Sequence, residues 1–256
     1  MRERYGPWAV VAGASEGIGA AFAIRLARSG LSLVIAARGE HRLRELAGTL
    51  PTETRVVAAD LATVEGRSAL FEATSDIEVG LAIANAAYAP IGPFLDIEPA
   101  ELHRIVALNC DMPLALARHY LPGMAERRRG GLIVMSSMAG QQGSPRIATY
   151  AATKAFGAIL AEGLWREMQP SGVDVVACVA GAVTTPALGR AKPKRAPGTV
   201  TPEVVARTAL DALGRGPRVV PGGLMKVSAA LTARLLPKRA AIALIDKASG
   251  DLRNSG

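Results

Sequence analysis

Short apolar runs alternate with longer amphipathic segments along most of the 256-residue chain. Most of the runs are continuously apolar, which is typical of parallel strands that are covered on both faces. We predict seven strands, at residues 8–13, 31–37, 54–59, 80–85, 131–137, 173–179 and 218–222. Because segments of helical period lie between them, the pattern predicts an α/β Rossmann fold, a doubly wound parallel seven-stranded sheet with helices on both faces.

The alternating pattern is not divided by a linker, so we expect a single domain over residues 1–256. Residues 184–202 break the pattern and hold four prolines and four Lys or Arg residues. Loops of this length in a compact domain are typical of functional lids or of disordered segments, and we predict a substrate lid here. Residues 249–256 are predicted to be a frayed tail.

The composition favours a cytoplasmic protein. Half of the residues are hydrophobic, yet no apolar stretch reaches the roughly 18 residues that span a bilayer, and the start of the chain does not resemble a signal peptide. Cys110 and Cys178 lie within apolar patterns and cannot form a disulfide framework, which indicates a reduced compartment.

The charge and the histidines argue against two classes of site. The net charge is +8, but the basic residues are scattered, with the densest run at 126–131, so we expect no nucleic-acid binding. His41, His103 and His119 fall in separate segments without ligand-like spacing, so no metal site is predicted.

A glycine-rich turn, "GASEGIG" at residues 13–19, follows the first strand and opens a helix. Gly13 permits the sharp turn, while Gly17 and Gly19 allow the backbone and the helix to approach a pyrophosphate. The helix N-terminus then offers unpaired N–H groups to the anion. The pattern predicts a dinucleotide site that includes Gly13, Ser15, Gly17, Ile18 and Gly19.

The end of the second strand indicates which dinucleotide is bound. Where an NAD site carries an acidic residue this chain has Ala37, followed at once by Arg38. A guanidinium can bind a 2′-phosphate through two hydrogen bonds, so we predict NADP(H), although Glu16 in the glycine turn argues mildly against it and Arg38 as a surface charge is the alternative. Asp60 either accepts a hydrogen bond from the adenine amine or caps the next helix.

Tyr150 and Lys154 lie four residues apart in "YAATK", one helical turn from each other and beside small residues. One interpretation is a surface tyrosine packed on a lysine stem. The other is a phenol that acts as an acid and whose pKa is lowered by the neighbouring ammonium group.

The motifs "GASEGIG", "ADL", "ANAA", "SS" and "YAATK" occur in this order, and with them the sequence resembles the short-chain dehydrogenase/reductase family over residues 6–222. The resemblance favours the acid interpretation of the tyrosine. It implies catalytic roles for Asn109, Ser137, Tyr150 and Lys154, with Ser136 structural. It also implies cofactor contacts from Asp60, Asn85, Tyr150, Lys154, Gly181, Val183 and Thr185.

The resemblance implies a mechanism in which Tyr150 exchanges a proton with the substrate oxygen. A free phenol has a pKa of about 10, and we expect Lys154 and the positive nicotinamide to bring the pKa of Tyr150 towards 7. Ser137 would hold the substrate oxygen, Lys154 would also bind the nicotinamide ribose, and Asn109 would bind a water that relays the proton outward. The family pattern is not fully kept, since Ala12, "ANAA" at 84–87 and Ala180 depart from it.

We therefore predict an NADP(H)-dependent oxidoreductase for a hydrophobic ketone, secondary alcohol or 3-oxoacyl-type substrate. Substrate selection is expected from residues 88–94, 138–147 and 184–202. A non-catalytic NADP(H) sensor and an NADP-dependent dehydratase or epimerase are the alternatives. The resemblance also implies a homodimer or homotetramer formed through the helix that bears Tyr150 and the helix before it. Residues 224–246 are predicted to cover the substrate pocket or a subunit contact, with a membrane surface as the less favoured partner.

Overall fold

The computed structural model describes residues 1–184, 198–223, 239 and 242. Seven β-strands fall where the apolar runs predict them. They are β1 (Trp8–Ala12), β2 (Ser32–Ala37), β3 (Thr54–Ala58), β4 (Val79–Ala84), β5 (Gly130–Ser137), β6 (Val173–Ala180) and β7 (Arg218–Val219).

One helix precedes β1, and the others lie between the strands. The helices are α1 (Arg2–Tyr5), α2 (Gly17–Arg28), α3 (Glu40–Thr49), α4 (Val64–Glu72), α5 (Pro99–Val106), α6 (Met112–Glu126), α7 (Ala148–Met168) and α8 (Pro202–Asp211). A π-helical turn, Ala107–Asp111, joins α5 to α6. Short 3₁₀ turns occupy Phe94–Asp96, Met138–Gln141 and Gln169–Ser171.

All neighbouring strands are parallel, in the order β3-β2-β1-β4-β5-β6-β7. The chain moves outward from β1 in one direction through β2 and β3, then returns to build the other half from β4. Such a reversal leaves a crevice beyond the carboxyl ends of β1 and β4, where doubly wound sheets bind ligands. The predicted fold class is confirmed.

The core consists of two apolar layers, one on each face of the sheet. Along β1, Ala9 and Val11 belong to the layer that packs on α2, α3 and α8, whereas Val10 and Ala12 belong to the layer that packs on α4, α6 and α7. Because both faces are covered, every residue of β1 is buried. This explains why the strand lacks an alternating polar pattern.

The ends of the helices follow local sequence signals. Helix α2 ends at Arg28, and Gly30 two residues later has φ +81°, a left-handed conformation that favours glycine. Thr63 caps α4, since its side chain accepts a hydrogen bond from Gly66 N at 3.0 Å.

The densest basic run does not form an isolated charged surface. Arg127 and Arg129 both lie within ion-pair distance of Glu78, which follows α4. Within the ranges given above, none of the helices combines the length and apolarity needed to cross a membrane. Most of the predicted lid, the predicted tail and nearly all of 224–246 lie outside the described residues.

Candidate active site

A cleft of about 930 Å³ opens at the carboxyl ends of the central strands. It is lined by residues that follow β1 to β4 and by two helical residues from the other half of the chain. The predicted site residues among them are Gly13, Ser15, Gly17, Ile18, Arg38, Asp60, Asn85 and Tyr150. Residues far apart in sequence, which were predicted separately, therefore share one cavity.

The glycine turn is shaped for close approach. Gly13 has φ +88°, and a Cβ there would lie 2.6 Å from Ala86 Cα. A Cβ at Gly19 would overlap the Gly13 carbonyl oxygen, which accepts a hydrogen bond of 2.8 Å from Asn85 Nδ2. The turn leaves no room for side chains at these two positions, and Asn85 holds it against the end of β4.

The turn leads directly into α2, whose N-cap residue, Glu16, makes no side-chain capping hydrogen bond. The first N–H groups of α2 thus lack a side-chain cap, and an anion at this helix end is favoured by those donors and by the helix dipole. This combination of a tight turn and an uncapped helix fits the pyrophosphate of a dinucleotide.

Asp60 follows β3 and lies in the cleft in an ion pair with Arg104 of α5, at 2.5 Å. Its other carboxylate oxygen accepts a hydrogen bond from Ala62 N at 3.1 Å. Burial raises the pKa of Asp60, but the hydrogen bonds from Arg104 and Ala62 outweigh it and hold the pKa below its ordinary value. The alternative in which Asp60 caps the next helix is wrong, because Thr63 occupies the N-cap position of α4.

Arg42 is a cleft residue that the sequence reasoning missed. It lies in α3, lines the same cleft as Arg38, and its Nη1 is 2.8 Å from Glu16 Oε2. The Glu16 carboxylate, which argues against a phosphorylated ribose, is thus paired with a cation. No sequence signal joins residues 16 and 42, since the contact depends on how α3 packs beside the glycine turn.

Ser136 and Ser137 end β5 and have different surroundings. Ser136 is buried, and its hydroxyl donates to the Lys154 carbonyl oxygen at 2.7 Å. Ser137 is less buried, and its side chain accepts a hydrogen bond from Ala139 N at 3.2 Å and is hydrogen-bonded to Tyr150. Ser136 therefore anchors α7 to β5, while Ser137 lies beside the Tyr150 hydroxyl.

Lys154 is almost fully buried, with 5 % of its surface exposed. Its Nζ donates to the Met135 carbonyl oxygen at 2.9 Å and lies 5.6 Å from the centre of the Tyr150 ring. Burial lowers the pKa of Lys154 to about 8, so the amine remains mostly protonated at pH 7.

Burial and the neighbouring Ser137 act on the pKa of Tyr150. Burial raises it, and the opposing effect is a hydrogen bond with Ser137 rather than the charge of Lys154. The predicted shift of this pKa towards 7 requires the positive nicotinamide as well as Lys154, and it stays a prediction. Spacing along a helix places two side chains near each other but does not reveal how strongly the site is desolvated.

Asn109 lies in the π-helical turn and is 4 % exposed. Its amide oxygen accepts from Tyr88 N at 2.9 Å, and its amide nitrogen donates to Tyr88 O and to Thr153 Oγ1, each at 3.0 Å. The side chain therefore joins the segment after β4 to the helix that carries Tyr150. Neither the π-helical turn nor the role of Thr153 was predicted.

The segment after β6 was predicted to contact the nicotinamide. Gly181 follows the strand, and Val183 is buried and pairs with Val200 in a short parallel bridge. Thr185, the third predicted residue of this segment, lies outside the described residues.

Three large apolar side chains and Arg146 line a pocket next to Tyr150. Tyr150 and Thr149 share a small pocket with Phe94, Ile97 and Ile147. Next to Phe94, Leu95 exposes 92 % of its surface. A hydrogen bond from Gly92 N to Arg146 O, at 3.0 Å, ties this loop to the segment before α7. The predicted substrate segments 88–94 and 138–147 thus meet beside the tyrosine.

Comparison with known proteins identifies the family. The family model described as short chain dehydrogenase matches residues 7–196. The chain is 33 % identical over 222 residues to a 7beta-hydroxysteroid dehydrogenase of Clostridium sardiniense, covering 84 % of this chain and 85 % of that one. It is 37 % identical over 189 residues to a very-long-chain 3-oxoacyl-CoA reductase of Podospora anserina, covering 70 % of this chain but 56 % of the longer relative.

Solved structures agree with this assignment. A structure from work on 7beta-hydroxysteroid dehydrogenase stereoselectivity superposes with a TM-score of 0.91 at 30 % identity, covering 96 % of this chain and 98 % of that one. A short-chain dehydrogenase from Sphingobium yanoikuyae in complex with NADPH gives a TM-score of 0.77 at 28 % identity, covering 98 % and 96 %. The chain therefore belongs to the short-chain dehydrogenase family, whose members bind a nicotinamide cofactor, and it is an oxidoreductase that acts on a carbonyl or alcohol group.

Proposed function

We propose that the protein is an NADP(H)-dependent oxidoreductase that interconverts a bulky apolar ketone and the corresponding secondary alcohol. One observation carries the proposal: Arg38, which follows β2, and Tyr150, which lies in α7 between β5 and β6, line the same cleft. The first is suited to bind a phosphate and the second to exchange a proton with a substrate oxygen. The proposal treats residues 1–256 as one domain, because all seven described strands join one sheet.

The preference for NADP(H) rests on the end of β2. Ala37 offers no carboxylate to the ribose hydroxyls, and Arg38 lines the cleft directly after it. The charge of Arg38 contributes to the lowered pKa of Asp60, so it acts on the side of the cleft where β2 and β3 end. The relative from Sphingobium yanoikuyae that binds NADPH supports the same choice.

The bound nicotinamide supplies the hydride in one direction and accepts it in the other. In our proposal Tyr150 donates its hydroxyl proton to the substrate oxygen during reduction and takes it back during oxidation. Ser137 donates a hydrogen bond to the same oxygen and holds it against the tyrosine. Lys154 keeps a positive charge in the buried site and binds the nicotinamide ribose, and Asn109 leads the proton outward through a water.

The remaining predicted contacts are assigned by position. Gly13, Ser15, Gly17, Ile18 and Gly19 would hold the pyrophosphate, and Asp60 and Asn85 would lie along the adenosine half. Gly181 and Val183 would meet the nicotinamide, and Thr185 completes that set on the resemblance alone.

The apolar approach to Tyr150 favours a hydrophobic substrate. Phe94, Ile97 and Ile147 lie beside the tyrosine, and Arg146 is the charged residue of the same pocket lining. The relatives include hydroxysteroid dehydrogenases and 3-oxoacyl-CoA reductases. We infer a rigid polycyclic ketone as the preferred class, because the chain spans 85 % of the Clostridium sardiniense hydroxysteroid dehydrogenase and 56 % of the Podospora anserina reductase.

We also propose a homodimer or homotetramer formed through α6 and α7. Leu114 in α6 and Phe156 and Ile159 in α7 are large apolar side chains that remain exposed in the single chain. Their burial in a subunit contact would remove apolar surface from water.

Oxidation of NADPH by the purified protein, measured with a panel of ketones, tests the proposal. The panel should contain polycyclic ketones, short aliphatic ketones, aldehydes and 3-oxoacyl thioesters, and NADH should be compared as donor. We expect turnover with NADPH that is fastest with polycyclic ketones and absent in Tyr150→Phe. Faster turnover with NADH would contradict the cofactor assignment, and unchanged turnover in Tyr150→Phe would contradict the role of the tyrosine.

A further inference from the structure

Two arginines of α3 have different ion pairs. Arg44 pairs with Glu40 within the helix, at 2.6 Å, and is not among the cleft residues. Arg42 instead reaches out of its helix to Glu16, across 26 positions of sequence, at 2.8 Å. Arg42 and Glu16 both line the cleft that also contains Arg38.

The Arg42–Glu16 pair is too exposed to contribute much to the stability of the fold. The side chains are 53 % and 30 % exposed, and ion pairs with this degree of exposure contribute little to folding. What the pair does change is the charge at the mouth of the cleft. Asp60, the other carboxylate of the cleft, is paired with Arg104, so Arg38 and Arg42 outweigh the Glu16 carboxylate, and loss of Arg42 removes one of these two positive charges.

Glu16 is the N-cap residue of α2, so its carboxylate stands at the turn suited to bind the dinucleotide phosphates. The negative charge of Glu16 would repel a phosphate group on the ribose. The pairing with Nη1 neutralises this repulsion. The same guanidinium carries five N–H donors in one plane, a geometry that can serve a carboxylate and a phosphate together.

We propose that Arg42 is a second specificity-determining residue for NADP(H), which pairs with Glu16 and adds to Arg38 the positive charge that receives the ribose 2′-phosphate. This inference rests on the proposed preference for NADP(H). It makes a coupled prediction, because the harm done by losing Arg42 depends on the presence of the Glu16 carboxylate.

The test is a set of binding titrations with NADPH and NADH, followed by nicotinamide fluorescence, for wild type, Arg42→Ala, Glu16→Gln, the double variant and Arg44→Ala. We expect Arg42→Ala to weaken NADPH binding by about tenfold, the loss of roughly one favourable charge contact, and to change NADH binding by less than about twofold. Glu16→Gln in the Arg42→Ala background should recover most of the loss. Arg44→Ala, the matched control on the same helix, should bind both cofactors as wild type does.

The outcomes separate the two proposals. A wild-type protein that binds NADH more tightly than NADPH overturns the cofactor preference and this inference with it. If wild type prefers NADPH, and Arg42→Ala keeps the wild-type ratio of the affinities for NADPH and NADH, the inference alone is overturned. Thermal unfolding of each variant shows that the comparison is between folded proteins, and a variant that does not fold is replaced by Arg42→Gln.

Discussion

The side-chain amide of Asn109 donates to the hydroxyl of Thr153 at 3.0 Å, and that hydroxyl donates in turn to the Tyr150 carbonyl oxygen at 2.8 Å. Thr153 thus connects the π-helical turn with the helical turn that carries the proposed acid. Both Asn109 and Thr153 are buried, so neither bond is replaced by water when it is lost. Thr153 is a positioning residue in this arrangement, because it acts through Asn109 and Tyr150.

Thr153→Val should lower kcat by about tenfold, because a small displacement of the reacting groups is costly in an oriented site. It should also destabilise the protein by about 1–3 kcal/mol, the usual effect of leaving a buried donor unpaired. Steady-state kinetics and urea unfolding measure the two effects. Thr153→Ser keeps the hydroxyl and should retain most of the activity, and a Thr153→Val variant with wild-type kcat would show that the hydroxyl does not position the site.

Lys154 should make the stability of the protein depend on pH. Burial lowers its pKa in the folded state from 10.5 to about 8, so the unfolded chain binds more protons between these values. The charged buried amine therefore destabilises the fold below pH 8, and this effect is relieved as the pH rises towards 10.5. Its full size is about 3 kcal/mol, from the pKa difference.

The comparison with Lys154→Met isolates this effect, because other titrating groups are common to both proteins. We expect the variant to be inactive and, at pH 7, at least as stable as wild type. Urea unfolding at pH 7 and pH 9.5 should show wild type gaining stability relative to the variant. A constant difference between the two proteins would mean that Lys154 titrates with an ordinary pKa.

Tyr150 should control the pH dependence of turnover. Since burial raises its pKa, the hydroxyl is protonated at neutral pH, as reduction requires, while alcohol oxidation requires the phenolate and should become faster with rising pH. The hydrogen bond with Ser137 lowers the pKa of Tyr150, so Ser137→Ala should move the rising limb of the oxidation profile to higher pH.

Ser136→Ala is the control for this pH profile, because its hydroxyl bonds the Lys154 carbonyl oxygen and not the tyrosine. It should reduce stability and leave the position of the rising limb unchanged. Equal displacement of the profile by both serine variants would contradict the assignment of Ser137 to the tyrosine.

Two glycine substitutions should have opposite effects. Gly19→Ala places a Cβ onto the Gly13 carbonyl oxygen, a backbone atom that cannot move without opening the turn. We expect lost cofactor binding and a large fall in the melting temperature. Gly48→Ala, in α3 with no atom within 4 Å of the new Cβ, should stabilise the protein by about 0.5–1 kcal/mol through helix propensity. Scanning calorimetry compares them, and a Gly19→Ala variant as stable as wild type would contradict the close packing of the turn.

The sequence pattern was sufficient to predict the strands of the sheet, because strands that are buried on both faces consist of continuous apolar runs. The apolar runs of β1, β2 and β4 needed no knowledge of their neighbours to be recognised. The prediction was less accurate for β7. Residues 218–222 were predicted, but the strand comprises only Arg218–Val219, at the edge of the sheet.

The site was less accessible to sequence reasoning where its properties depend on packing. Arg42 reaches Glu16 only because α3 lies beside the glycine turn, and no spacing rule connects them. The raised pKa of Tyr150 comes from burial by surrounding elements, which the spacing between Tyr150 and Lys154 does not reveal. The choice between two roles for Asp60 likewise needed the position of Thr63, which is the residue that caps α4.

Transfer of deuterium tests the central claim most directly. NADPH carrying deuterium at C4, on the face that is transferred, is incubated with the protein and a polycyclic ketone, and the alcohol is analysed by mass spectrometry and NMR. We predict one deuterium on the carbinol carbon of the product and none in the Tyr150→Phe reaction, which should form no alcohol. An NADPH-binding protein that yields no labelled alcohol from any ketone in the panel would contradict hydride transfer in this cleft.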